Sequence, residues 1–278
     1  MEPGPDAAIY RRDGELYTPT EWAGGPWSPL HQHGGAAASL LARGAQEASR
    51  ETGLRVARLT IDLFRPVPMQ PLRLVRRFAR EGRRIAVAEL ALVHGDREVT
   101  RASSLLLRER SDLAPVWSGE GEPAPPPRES CEPIEFMPHA YRAHIPPGFH
   151  WSIDARVARA TESPLAWIHT PLAVVEGEPT SAFERATALS DLCFGLGGRI
   201  LLRRGWQQPE QTDLARTRFI NVDTTLYFER EPQGDWFAMR PTRVADDHGV
   251  GVAEVVSCDG AGRYGRALQA ILANDPPR

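Results

Sequence analysis

Residues 34–67 read GGAAASLLARGAQEASRETGLRVARLTIDLFRPV, and this stretch decides the fold. From Gly34 to Glu51 it is rich in Ala, Leu, Arg and Glu, which lose little side-chain freedom in a helix. Thr52–Gly53 ends the helix, and Gly53 suits a left-handed cap. After it, Val56, Leu59, Ile61 and Leu63 are set off by Arg58, Thr60 and Asp62, largely the period-two pattern of a half-buried strand. PLRLVRRFAR (71–80), RRIAVAELALVHG (83–95) and REVTRASSLLLRE (97–109) follow as further strands, with hairpin turns at Glu81–Gly82 and Gly95–Asp96. A helix followed by long antiparallel strands predicts a helix laid across a sheet.

The same order returns in the second half. Trp151–Ala160 and Leu165–Thr170 read as short strands. Then comes TSAFERATALSDLCFG (180–195), where Ser181 and Glu184 have capping-box spacing, so one helix is expected to start at Ser181. FINVDTTLYFER (219–230), DWFAMRPTRVADD (235–247), GVGVAEVVSCD (249–259) and GRYGRALQAILAND (262–275) read as strands after it. Between the halves, Leu113–Pro147 is dense in proline, which removes backbone donors and fixes φ, so it reads as a linker. The expected division is an N-terminal domain at 1–112, a linker at 113–147 and a C-terminal domain at 148–278. A lone half leaves a sheet edge open. Two halves joined edge to edge give the predicted architecture: an α+β fold with two long helices on one continuous antiparallel sheet.

Composition narrows the function. The 278 residues suit two domains, and a formal net charge of -3 provides no global field for nucleic acid or an anionic membrane. Arg76–Arg77 and Arg83–Arg84 read as solvated strand ends, with phosphate binding as the other use. Three widely spaced cysteines without a C-x-x-C pattern argue against a disulfide framework or a metal site and fit a reducing compartment. The N-terminus is polar and no run of eighteen apolar residues occurs, so a cytoplasmic protein without a membrane partner is expected. The sequence contains no G-x-S-x-G, H-E-x-x-H or P-loop motif.

Two buried-looking polar residues draw attention. Asp191 is expected deep in the second helix, flanked by Leu189, Leu192 and Phe194, and Gln269 lies between Leu268 and Ala270. A carboxylate in such a place is costly unless paired or working, and partial burial makes it a better base. The amide wants partners, which a water shared with Asp191 would supply. Capping of a loop by Asp191 and backbone bonding by Gln269 are the plain alternatives. Gly34 and Gly35, opening a helix, offer backbone N–H groups to a developing oxyanion, or else form a tight entry loop. His31 and His33 flank them.

The sequence resembles the double-hotdog acyl-CoA thioesterases of the bacterial thioesterase II group. His33–Gly34–Gly35, ALSDLCF, FINVDTTLYF, GDW and ALQAI carry the resemblance, in that order. It implies a double-hotdog fold, an acyl-CoA substrate, no cofactor, no metal, and a homodimer or higher oligomer. It also implies a hydrolytic water held by a helix Asp, a strand Thr or Ser, and a Gln on the last strand. Asp191 and Gln269 take two of these places. The third falls on Asn221, two residues before Asp223, and departs from the family hydroxyl. Thr224 and Thr225 are nearby hydroxyls, with Thr224 expected on the opposite strand face from Asn221. His33, Gly34 and Gly35 would contact substrate. A dehydratase or hydratase using His33 with Asp191, and a non-catalytic acyl-CoA-binding protein, are the alternatives. The H-x-x-x-G-x-x-x-x-P run expected of the former is absent.

Overall fold

The computed structural model describes residues 2–110, 112–114, 124–138, 142, 144–158, 164–201 and 218–274. The expected helix forms at α1 (Gly34–Thr52), with His33 as N-cap and Gly53 at φ 65° closing it. It is followed by β3 (Arg55–Asp62), β4 (Leu72–Arg80), β5 (Ile85–His94) and β6 (Arg97–Leu107), paired in the antiparallel order β4-β5-β6-β3. In the second half β12 (Asp223–Phe228), β13 (Phe237–Asp247), β14 (Val250–Asp259) and β15 (Gly262–Asn274) run in the order β12-β15-β14-β13. The halves join through β3 and β12, with Asp62 opposite Asp223 and Thr60 opposite Thr225. These are the strands that follow the helix in each half, so the join relates the halves by an approximate two-fold.

The predicted single sheet is therefore present, with refinements. An N-terminal hairpin, β1 (Ala8–Asp13) and β2 (Leu16–Pro19), extends the first half, and β10 (Ala173–Val175) pairs with β1 in parallel. Neither β1 nor β2 was legible as a strand. The proline-rich stretch is not bare linker: Glu132–Glu135 forms the edge strand β7 against β8 (Asp154–Ala158), which pairs with β9 (Leu165–His169). Pro133 is tolerated there because, among the described residues, β7 has no neighbour on its other side. Residues 159–160 of the expected Trp151–Ala160 strand, and residues 115–123, 139–141 and 143 of the linker, lie outside the described residues.

The predicted second helix is broken. α2 (Ala182–Ser190) starts at the expected capping box, Ser181 with Glu184, but ends at Asp191, and α3 (Cys193–Leu201) begins anew. The cause comes from β15. Gln269 Nε2 donates to the Ser190 and Asp191 carbonyls, at 3.4 and 3.2 Å, while its Oε1 accepts from Phe194 N at 2.8 Å. In an unbroken helix Phe194 N–H would bond to Ser190 C=O. The Gln269 amide stands inside that bond, and a side chain inserted into the i→i−4 ladder kinks a helix.

Helices α1 and α2 pack against each other on the sheet. α1 is almost wholly buried from Gly35 to Ala45, and its alanines and Gly44 allow close approach, Gly44 lying against Leu74 and Leu90. A buried polar staple ties the helices together. Arg43 pairs with Glu184 at 2.7 Å and with Glu178, and Ser181 Oγ donates to Gln46 at 2.7 Å. A small second cluster, Cys131, Leu165, Trp167, Ala238, Val256 and Cys258, forms apart from the main core; residue 126 of the proline-rich stretch accepts from Trp167 Nε1 there. Arg76 and Arg77 are ion-paired with Glu51 and Glu89, in keeping with solvated strand positions. No helix among the described residues is long and apolar enough to cross a membrane.

Candidate active site

The loop before α1 is held rigidly. His33 N donates to Ala23 O and Gln32 N to Val67 O, both at 2.8 Å, and the buried Gln32 side chain bridges Tyr10 OH and Pro68 O. This fixes His33 at the helix start. Its Nδ1 stands 3.0 Å from Gly35 N and 3.0 Å from Asp191 Oδ2. The two contacts compete for one nitrogen: capping Gly35 uses the Nδ1 lone pair, whereas pairing with an ionised Asp191 uses an Nδ1 proton.

Asp191 is not deep in a helix, as its neighbours had suggested, but at the C-cap of α2, where the Gln269 insertion turns the chain. Its side chain is only 6% exposed. Asn221 Nδ2 donates to Oδ1 at 2.6 Å. A Cβ on Gly34 would stand 2.5 Å from Oδ1 and 2.8 Å from Oδ2, so glycine is what lets the carboxylate lie against the start of α1. Gly35 is equally required, since a Cβ there would meet Ala188 O at 2.5 Å. Gly35 N–H is engaged by His33, while Gly34 N–H makes no hydrogen bond among the described residues.

The structure thus brings His33, Gly34, Gly35, Asp191 and Asn221 together, from both halves of the chain. Gln269 lies immediately behind them, fully buried, with its amide on the helix break and on Thr224 Oγ1 at 2.9 Å. Its contacts are those of the plain alternative, backbone bonding. His31 is bridged to Pro68 through its backbone, and among the described residues no hydrogen bond or ion pair joins its side chain to Asp191. The expectation that Thr224 faces away from Asn221 is wrong. The expected single strand is two, β11 (Arg218–Asn221) and β12, and the pairing with β15 shifts by one residue between Asn221↔Ile271 and Thr225↔Leu268. Asp223 Oδ1 fills the gap by accepting from Ala270 N at 2.6 Å. The shift resets the alternation, so Asn221 and Thr224 both reach the helix-covered face.

Sequence reasoning missed one wall of the site. Gly148 packs so closely on Gly24 that a Cβ would fall 1.9 Å from Gly24 O, and Phe149 N donates to that oxygen at 3.0 Å. The short 3-10 turn Phe149–Trp151 then sets the Phe149 and His150 rings against His33, with centroids 5.1 and 5.9 Å away. Three aromatic rings after Pro–Pro–Gly were the available signal, but no periodicity marks them. The cysteines play no part: all three are buried free thiols, and burial pushes the Cys193 thiol far up. Among the described residues no group of three or more metal-ligating side chains converges.

One sheet formed by two helix-bearing halves, with polar groups gathered between the helix ends, defines a double-hotdog protein. The sequence matches the acyl-CoA thioesterase N-terminal domain over residues 23–107 and the acyl-CoA thioesterase C-terminal domain over 117–272, so the chain belongs to the acyl-CoA thioesterase family. Its activity, in general terms, is thioester hydrolysis. Similar solved structures include a protein named as a thioesterase from Novosphingobium aromaticivorans, with 19% identity, TM-score 0.68, and 96% of this chain and 98% of that one covered. A second is named as a thioesterase II from Thermobifida fusca, with 16% identity, TM-score 0.64 and 97% and 96% covered. A third is an acyl-CoA thioesterase II from Mycobacterium marinum, with 12% identity, TM-score 0.62 and 96% and 95% covered. At these identities the likeness shows the fold. No curated protein sequence matches.

Proposed function

We propose that the chain hydrolyses acyl-CoA thioesters at the Asp191 site, with residues 1–112 and 148–278 each supplying part of it. The observation that carries this reading is a buried carboxylate held at both oxygens, by His33 and Asn221, against the open start of a helix. Asp191 takes a proton from a water whose oxygen adds to the thioester carbonyl carbon. The carbonyl electron pair moves to oxygen, where Gly34 N–H at the positive end of α1 opposes the charge. Collapse of the adduct breaks the C–S bond, and the CoA sulfur leaves with the proton returned by Asp191. Asn221 orients the carboxylate through its amide. Gln269 is a positioning residue that turns Asp191 out of the helix.

The reading extends to a cytoplasmic homo-oligomer, supported by three free thiols and by strand edges left at β7 and β10. The test is free-thiol release from a panel of acyl-CoAs by the wild type and by Asp191→Asn. Thiol release lost in the variant with an unchanged melting temperature supports the assignment. A folded Asp191→Asn with full activity overturns it. A second reading, hydration or dehydration of an acyl-CoA, is favoured by the 3.0 Å contact between His33 and Asp191. It predicts a product one water heavier from an enoyl-CoA, with no thiol released.

A further inference from the structure

His150 is a buried polar group near the site that the reading so far leaves unexplained. It is 2% exposed, and neither Nδ1 nor Nε2 has a hydrogen-bond partner among the described residues. The Pro146 carbonyl lies near enough to favour the protonated form, yet outside hydrogen-bond geometry. A buried polar group left unpaired is costly, and native folds seldom keep one without a use. The ring is not there merely to fill space, because the neighbouring Phe149 shows that the same short turn presents an apolar ring to His33 equally well. His150 instead lies nearly parallel to His33, at 21° and 5.9 Å.

Building on the thioesterase reading, we infer that the His150 imidazole N–H donates a hydrogen bond to the substrate's thioester carbonyl oxygen, completing with Gly34 N–H the site for the oxyanion. Gly35 N–H is held by His33 Nδ1 whenever that nitrogen keeps its lone pair. The His150 ring lies against His33, whose Nδ1 stands 3.0 Å from Asp191 Oδ2. Burial, and secondarily the charge His33 can carry, push the His150 pKa down to about 3, so the ring is neutral at working pH and always offers one N–H. A neutral imidazole is a suitable donor to a developing oxyanion, since it polarises the carbonyl without releasing its proton to it. As the water oxygen bonds to the carbonyl carbon, the displaced electron pair collects on the oxygen that His150 faces, and the C–S bond breaks later.

The test uses the full chain and two non-hydrolysable CoA ligands: a ketone analogue, with CH2 in place of sulfur, and a thioether lacking the carbonyl. His150→Phe keeps a ring but removes both nitrogens. The expected result is a kcat lower by about 10²–10³-fold, the usual loss for one oxyanion donor, with a melting temperature equal to or above wild type. His150→Gln, which restores an N–H, recovers part of kcat. The wild type binds the ketone more tightly than the thioether, and His150→Phe loses that preference. An unchanged kcat in His150→Phe, or the same ketone preference in both proteins, overturns the assignment. If the wild type releases no thiol from any acyl-CoA but the ketone preference still depends on His150, hydrolysis falls while the carbonyl contact stands. If the wild type binds neither analogue, both fall together.

Discussion

Replacing Gly34 by alanine tests whether Asp191 works from the position described. On the backbone alone the change is favourable, since alanine is up to about 1 kcal/mol better than glycine in a helix. The new methyl carbon, however, would lie 2.5 Å from Asp191 Oδ1, 2.8 Å from Oδ2 and 2.9 Å from Cγ. Ordinary contact begins at 3.4 Å, so the carboxylate must retreat by nearly an ångström. It has nowhere easy to go: Asn221 holds Oδ1 at 2.6 Å, and His33 lies 3.0 Å from Oδ2. A 1 Å displacement of a catalytic group can cost about 10²-fold in rate. Gly34→Ala should therefore lower kcat/KM for thiol release by about 10²-fold while shifting the melting temperature little. In an Asp191→Ala background the same change should stabilise the protein, because the obstructing carboxylate is gone; the difference between backgrounds is the coupling energy. Gly35→Ala is the contrast. Its methyl would meet backbone, Ala188 O at 2.5 Å, so it should lower stability by forcing α1 from α2. Wild-type kcat/KM in Gly34→Ala, or no coupling with Asp191→Ala, would refute the placement of the base against the helix start.

Asn221→Ala should lower kcat/KM by about tenfold, the equivalent of one hydrogen bond to a charged group, and Asn221→Thr should recover most of it; equal losses in the two would show that the donor does not matter. Gln269→Ala leaves Phe194 N–H without its acceptor and should cost about 1–3 kcal/mol in chemical unfolding, with a loss of kcat smaller than that of Asp191→Asn; unaltered stability would mean the helix break does not depend on it. Arg43→Ala strands a buried Glu184 and should cost about 3–5 kcal/mol, partly relieved in Arg43→Ala/Glu184→Ala; additive losses would argue against the staple. The depressed His150 pKa, set by burial with His33 and Arg142 adding, makes the unfolded chain bind a proton that the folded chain refuses between pH 6.5 and about 3. Its contribution to stability is thus complete above pH 6.5 and is lost as pH falls, so His150→Phe should flatten the acid side of the melting-temperature profile; an unchanged slope there would contradict a neutral buried ring.

The elements that could be read from sequence were those with a repeating pattern. α1 and its strands showed alternation and caps, and Ser181–Glu184 marked the start of α2. The helix break at Asp191 left no local trace, because its cause lies 78 residues away in the Gln269 amide. The parity of Thr224 failed for a similar reason: an inserted residue between β11 and β12 is visible only against the register of β15. β1 and β2 are short and depend on neighbours for burial, and β7 was hidden by its own proline. Within the site, His33, the two glycines, Asp191 and Asn221 were legible as candidates, whereas their mutual contacts were not. His150 was invisible, since a lone histidine gains meaning only from the ring it stacks upon.

The Arg43 staple bears on how many ligand molecules one chain can take. Arg43 stands nine residues after Gly34, the first residue of α1, just as Asp191 stands nine after Ala182, the first of α2. The approximate two-fold that relates the helices therefore carries the carboxylate of one half onto the guanidinium of the other, and His33 onto Ser181. A symmetric ancestor built from identical halves would present two equal catalytic clefts. Here the matching position of the first half is filled by the Arg43–Glu184 ion pair and the Glu178 carboxylate beside it. Calorimetric titration with a non-hydrolysable acyl-CoA should saturate at one molecule per polypeptide whatever the subunit number, and opening a second cleft there would take a change of charge as well as of volume.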